Sequence, residues 1–190
     1  MTKIAVFWDN SMMFHRMVED AAGPVEAVTP LILSAPFFRG KFSGIIVPTG
    51  FGNTNYSKML PALRACAGRI EDYLENGGKM LVFGAADANP ARYDWLPVKT
   101  EYHYEFMEHE LEVTDSTASL LLDGYDTSNF ACDGWFEAFE GTPVAVSKKT
   151  GKPVLVECKV GDGTLYLAST HEYPSTAFLK EFAKGDEVSF

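Results

Sequence analysis

Residues 44–84 read GIIVPTGFGNTNYSKMLPALRACAGRIEDYLENGGKMLVFG, and their pattern decides the fold. Gly44-Ile45-Ile46-Val47-Pro48 is a continuous β-branched run, the kind buried on both faces of a parallel sheet. From about Lys58 to Asn76, Leu60, Leu63, Ala67, Ile70 and Leu74 recur close to every 3.6 residues, which predicts one helix. Gly77-Gly78 stops it, and Lys79 to Phe83 is a second buried strand that closes at Gly84. Strand, helix and strand at this spacing form a right-handed crossover between parallel strands.

Working outward, the N-terminal side repeats the theme. Lys3 to Trp8 is an apolar strand ending at Asp9-Asn10-Ser11, where Asn10 or Ser11 would cap a helix beginning at Met12. A short strand, Val25 to Thr29, follows Gly23-Pro24, and Leu31 to Phe38 reads as a short helix or turn. On the C-terminal side the pattern changes. Ala85 to Pro97 is loop-like. Tyr102 to Val113 alternates as a strand whose parity switches, placing a bulge or break near Glu108. Val144 to Ser147, Pro153 to Lys159 and Thr164 to Ser169 are further strands, the last two joined by the turn Gly161-Asp162-Gly163. Thr176 to Ala183 is a final helix, and no linker divides residues 1–190, so a single domain is expected.

Composition narrows the function classes. The chain has 46% apolar and 22% charged residues, the balance of a globular protein. Sixteen basic against 26 acidic side chains give a net charge of −10, which repels phosphate backbones, so no nucleic-acid partner is expected. No apolar run approaches the ~20 residues that span a bilayer, and no membrane partner is expected either. The N-terminus enters a strand directly, without a basic flank or small-residue cleavage site. Cys66, Cys132 and Cys158 are odd in number and widely spaced, as for reduced thiols in a cytoplasmic protein.

Three places carry a family resemblance. Pro48-Thr49-Gly50-Phe51-Gly52 follows the third strand, Val82-Phe83-Gly84-Ala85-Ala86-Asp87-Ala88 follows the fourth, and Leu165-Tyr166-Leu167-Ala168-Ser169-Thr170-His171-Glu172 ends the last. Together they resemble the class I glutamine amidotransferase-like superfamily. That likeness implies a flavodoxin-like three-layer α/β/α fold, with a mainly parallel central sheet and additional antiparallel strands in the second half. It also implies an oxyanion loop at Gly50–Gly52, a nucleophile turn at Gly84–Ala88 and a catalytic histidine at His171. Asp123-Gly124-Tyr125, Cys132-Asp133-Gly134-Trp135-Phe136 and Lys159 to Tyr166 followed by His171 look like its trehalose-utilisation (ThuA-like) branch, which is linked with sugar metabolism. The acidic-aromatic signature departs from that branch in reading Asp-Gly-Trp-Phe.

Amidotransferase chemistry needs a thiolate on a sharp turn, a histidine to take its proton and amides facing the oxyanion. Aligned on Gly84, the nucleophile position holds Ala86, and a methyl group attacks nothing. Cys132 alone lies near a pocket loop, beside an Asp133 that would raise its pKa. What remains is a candidate acid/base at His171, with Glu172 or Asp133 as its orienting carboxylate. Asp9, Asn10, Gly50, Phe51, Gly52, Asn53, Ala86, Asp87, Asp133 and Trp135 are the candidate binding residues. Asp133 beside Trp135 suits sugar recognition, and a surface turn with a buried tryptophan is the alternative. The Gly50–Tyr56 loop fits ligand contact or a turn capping the next helix through Ser57. His103 and Glu105 share a strand face and, with His171 or Asp133, could supply ligands to a divalent metal. A solvated face of an antiparallel strand explains His103, Glu105 and His109 without a metal and is the favoured reading, and no cofactor is expected. Two functions compete: binding or turnover of a small polar molecule such as a carbohydrate, and a silent domain used for sensing or subunit association. A homodimer is the base-rate expectation.

Overall fold

The computed structural model describes residues 2–190. Ile4, Ala5, Val6 and Phe7 are all buried and form β1 (Ile4–Phe7), which α1 (Met13–Ala22) connects to β2 (Val25–Val28). A short α2 (Pro30–Ser34) and β3 (Lys41–Phe42) precede β4 (Gly44–Val47). Then come α3 (Met59–Ala65), α4 (Ala67–Glu75) and β5 (Lys79–Val82). The second half holds β6 (Thr100–His109), β7 (Leu111–Val113), β8 (Phe130–Phe139), β9 (Thr142–Ser147), β10 (Pro153–Val160) and β11 (Gly163–Ala168). The chain closes with α5 (Thr176–Phe182) and β12 (Val188–Ser189).

The central sheet runs β2-β1-β4-β5-β11-β10-β9-β7. Its first five strands are mutually parallel, and β10, β9 and β7 extend it antiparallel. α1 packs with α5 and α2 with α3, giving the three-layer α/β/α arrangement expected from the sequence. Strand order reverses at β1/β4, and open sheets of this kind place their ligand crevice outside the carboxyl ends near such a reversal. No helix among the described residues is long and apolar enough to cross a membrane.

Several local expectations need correction. The helix predicted from Lys58 to Asn76 is two, because Cys66 leaves helical geometry (φ −107°, ψ 9°) and its thiol donates to the Leu33 carbonyl (3.2 Å). α1 begins after Met12 rather than after Asn10 or Ser11, because His15 Nδ1 accepts the Met12 N–H (3.2 Å) and supplies the cap. The Cys132–Phe136 stretch is not a surface turn but the middle of strand β8, paired with β6 outside the central sheet. The break predicted near Glu108 falls at Glu110, where the chain passes from β6 into β7.

Candidate functional site

The site is assembled by one docking event. β8 lies against the exit of β11: the Asp133 N–H donates to the Ser169 carbonyl (2.8 Å), the His171 N–H to the Ala131 carbonyl (3.1 Å), and the Ser169 hydroxyl to the Gly134 carbonyl (2.6 Å). That pairing brings together two residues far apart in sequence, and the His171 Nδ1–H donates to Asp133 Oδ1 at 2.9 Å. An ionised carboxylate only accepts, so it fixes the proton on Nδ1 and leaves Nε2 as the free, basic nitrogen. The Asp133 side chain is 13% exposed and that of His171 54%, so the ring reaches solvent while its partner is held in the wall. β6 adds a bulge here, with Glu105 and Phe106 as the extra length between the Tyr104–Gly134 and Met107–Cys132 pairs. The bulge sets the Phe106 ring edge-on to His171, with centroids 5.2 Å apart, the re-aiming that bulges commonly perform.

The turn after β5 keeps an unusual backbone. Ala86 has φ 52°, the only non-glycine among the described residues with positive φ, a conformation costing about 1–2 kcal/mol for a residue with a Cβ. Strained turns of this kind expose nucleophiles in other enzymes, and here the turn presents a methyl group. Tyr93 holds it from beneath, its hydroxyl accepting from the Ala85 N–H and donating to the Phe83 carbonyl, both at 3.0 Å. The neighbouring glycine loop is tied to the same turn. The Gly50 N–H donates to the Gly84 carbonyl (2.8 Å), the Gly52 N–H to the Ala85 carbonyl (3.1 Å), and Asn53 Nδ2 to the Ala86 carbonyl (2.9 Å). Those two glycine amides are therefore spent inside the protein and face no oxyanion. Burial, reinforced by Asp133, pushes the Cys132 thiol up to about 12, so it holds its proton at neutral pH.

An open crevice runs over this floor in two joined lobes of about 240 and 500 Å3, which share Trp8, Thr49, Asp133 and His171. Of the residues singled out in the sequence, Gly50, Ala86, Asp133, His171 and Glu172 line it. Glu172 is exposed and makes none of the ring's hydrogen bonds, so the carboxylate that meets His171 is Asp133. The others are engaged elsewhere. The Asp9 carboxylate accepts from the Ser57 hydroxyl (2.5 Å) and the Lys58 N–H (2.9 Å), fastening the start of α3. Asp87 pairs with Arg92 (3.0 Å), which holds its carboxyl below the usual range. Phe51 is core, edge-on to Tyr93 and Trp95, while Gly52 and Asn53 serve the loop and Asn10 is exposed. Most of the walls that sequence reading missed are aromatic, among them Trp8, Phe14, Phe83 and Tyr104. Among the described residues, no lysine or arginine lines either lobe.

Trp135 sits outside the crevice, stacked on His103 (4.3 Å, 21°), edge-on to His109, and donating its indole N–H to Glu137 (2.6 Å). His103 pairs with Glu105 (3.1 Å) on an exposed strand face, and the described residues contain no group of three His, Cys, Asp or Glu placed to hold a metal ion. His109 is buried, its Nδ1 bonded to Ser147 Oγ (2.7 Å) and its Nε2 without a partner among the described residues. Burial, with Lys149 nearby, lowers its pKa from 6.5, and Glu105 opposes the shift. Below pH 6.5 the unfolded chain therefore takes up a proton that the folded one refuses. Stability carried by neutral His109 is present above that pH and is lost as pH falls through the folded value. Thermal unfolding of His109→Asn is accordingly expected to depend less steeply on pH between 7 and 5 than that of the parent. An unchanged slope would remove His109 from the acid response.

Comparison with solved structures agrees with this architecture. The chain is similar to a GMP synthase-like protein of Thermoplasma acidophilum (TM-score 0.63, 17% identity), covering 96% of this chain and 92% of that one. A cytoplasmic protein of Salmonella typhimurium LT2 matches at TM-score 0.60 and 13% identity, covering 94% of this chain and 93% of that one. A β-galactosidase from Bacillus circulans sp. alkalophilus matches at TM-score 0.56 and 14% identity. There 94% of this chain covers 30% of the enzyme, so the chain spans under a third of that enzyme's length. Identities this low establish the fold, a three-layer α/β/α arrangement, and nothing of activity. Neither family models nor curated proteins give a match to the chain.

Proposed function

We propose that this protein binds and acts on a small, uncharged polar molecule of the carbohydrate class in the crevice above His171. The observation that carries the reading is the His171–Asp133 pair at 2.9 Å, which lines an open cavity and leaves Nε2 outside the pair. Such a pair can take a proton from a hydroxyl or return one to a leaving oxygen. Amide transfer has no counterpart in this site, since Ala86 offers no nucleophile and the Gly50 and Gly52 amides are occupied. Aromatic walls beside carboxylate, amide and hydroxyl groups suit a polyol, whose ring faces are apolar and whose edges need hydrogen bonds. The likeness of the Asp133–Phe136 and Lys159–His171 segments to the ThuA-like branch leads the same way. The occupied amides equally suit sensing of such a molecule without turnover, and turnover is what separates the two readings.

The test is a thermal-shift screen with sugars, sugar acids, amino acids, nucleotides and divalent metals. A ligand at one hundred times its Kd adds about 2.7 kcal/mol, which for a domain of this size is about 5–10 °C. A neutral sugar is expected to raise the melting temperature of the parent and to have a smaller effect on His171→Ala. The reading is overturned if no sugar shifts the parent, or if both proteins respond alike.

A further inference from the structure

The two lobes of the crevice differ in chemistry, and both open onto His171 and Asp133. In the larger lobe Tyr56 and Tyr104 bring hydroxyls and Asn55 an amide, and Gly50 and Ala86 line it without bulky side chains. The smaller lobe is walled by Met12, Phe14, Pro48, Phe83 and Tyr173. Phe14 packs edge-on against Phe83 (6.3 Å) and tilted against Tyr173 (5.5 Å), so these rings form a preformed apolar surface. Glu172 is the carboxylate of that lobe besides Asp133, and no cationic side chain among the described residues lines either lobe to balance them.

Resting on the reading of this crevice as the ligand site, we infer that the ligand is a two-part molecule. A hydroxylated ring occupies the Tyr56–Tyr104 lobe, an apolar substituent without negative charge occupies the Phe14–Tyr173 lobe, and their linking atom lies beside His171 Nε2. The chemical class is therefore an aryl or alkyl glycoside or a similarly substituted polyol, and phosphorylated or carboxylated sugars are rejected. The physical reasons are separate. Apolar surface removed from water favours an uncharged ring in the smaller lobe. An anion placed between Asp133 and Glu172 would meet like charge without a compensating cation. A free monosaccharide fills the polar lobe alone and leaves the apolar one wet.

The experiment measures affinity, by calorimetry, for the methyl, phenyl and 4-carboxyphenyl glycosides and the 6-phosphates of a panel of common hexoses. For at least one hexose the phenyl glycoside is expected to bind about tenfold or more tighter than the methyl glycoside. The carboxyphenyl glycoside and the phosphate are expected to lose that advantage. Tyr173 is 49% exposed, so Tyr173→Ala is expected to fold normally and to reduce the phenyl-over-methyl preference to within about threefold. Tyr56→Ala, at another exposed position, is expected to weaken both glycosides equally. Equal affinity for methyl and phenyl glycosides, tighter binding of the anionic ones, or a phenyl preference untouched by Tyr173→Ala would each overturn the two-part ligand while leaving the crevice as a sugar site. Binding of none of these compounds, or binding indifferent to His171→Ala, would overturn the site itself.

Discussion

Gly134→Ala is expected to destroy the native state or lower the melting temperature by more than about 10 °C. A Cβ at this position would stand 2.0 Å from the His103 carbonyl oxygen and 2.7 Å from both Cζ and the hydroxyl of Tyr102. The nearest of these is backbone on the paired strand, so no side-chain rotation relieves it, and relief requires β6 and β8 to separate. The Tyr102 ring is equally confined. It is buried, lies tilted against Tyr93 and Phe136, and its hydroxyl sits where a Cβ on Gly84 would also fall, at 2.6 Å. Substitutions that collide with fixed backbone belong to the class costing above about 4 kcal/mol, against a total stability of about 5–15 kcal/mol. For a domain of this length each kcal/mol moves the midpoint by about 2–4 °C. Gly124→Ala is the matched control. Its φ of +82° carries the usual left-handed penalty of about 1–2 kcal/mol, but no described atom lies within 4 Å of the added methyl. Thermal unfolding followed by far-UV circular dichroism compares the two. If Gly134→Ala melts within a few degrees of Gly124→Ala, the close β6–β8 approach is wrong, and with it the placement of Asp133.

The contrast between β8 and the strands around it shows what the sequence could and could not reveal. β4 and β5 are short β-branched and aliphatic runs buried on both faces, and that pattern is local, so reading residue by residue finds it. β8 runs Phe-Ala-Cys-Asp-Gly-Trp-Phe-Glu-Ala-Phe, with an acid and a glycine at its centre and irregular pairing with β6 at Glu137 and opposite Asp133. Two irregularities in ten residues erase the period of two, and what makes the segment a strand is its pairing with β6, a contact that no local pattern announces. His171 was legible because it ends a strand of the central sheet. Its partner was narrowed only to two carboxylates, since Glu172 adjoins it in sequence and Asp133 meets it in space. Asp9 shows the same limit from the other side. A carboxylate at a strand end reads as a pocket residue, yet its acceptor oxygens serve Ser57 and Lys58, and only the fold brings those groups within reach. The aromatic walls were missed for a simpler reason. Trp8 and Phe83 extend buried strands, and Phe14 lies on the buried face of α1, so each carries the signature of core.

Asp133→Asn is expected to be the most damaging change to function that leaves the fold intact. The Asp133 backbone is held by its own N–H bond to Ser169, independently of the side chain, and asparagine has nearly the same shape. The pair it breaks is half open to solvent on the histidine side, and such pairs contribute about 0–1 kcal/mol to stability. Melting temperatures of parent and variant are therefore expected to agree within a few degrees. The proton arrangement is another matter. Asparagine turned with its NH2 toward the ring donates to Nδ1, which moves the ring proton to Nε2 and removes the base from the crevice. Turned the other way, its neutral oxygen accepts more weakly and gives no charge to stabilise an imidazolium as it forms. Positioned proton transfer is worth about 10²–10⁴-fold in rate, and that loss is expected in kcat for whichever glycoside the parent turns over, with KM changed by less than about threefold. Because Asp133 acts through His171, the double variant with His171→Ala is expected to be no slower than His171→Ala alone. A kcat for Asp133→Asn within threefold of the parent, or additive losses in the double variant, would show that the pair is not the proton-transfer unit of this site. A parent that binds sugars without turning any over would instead select the sensing role, in which Asp133 only orients a ligand-binding imidazole.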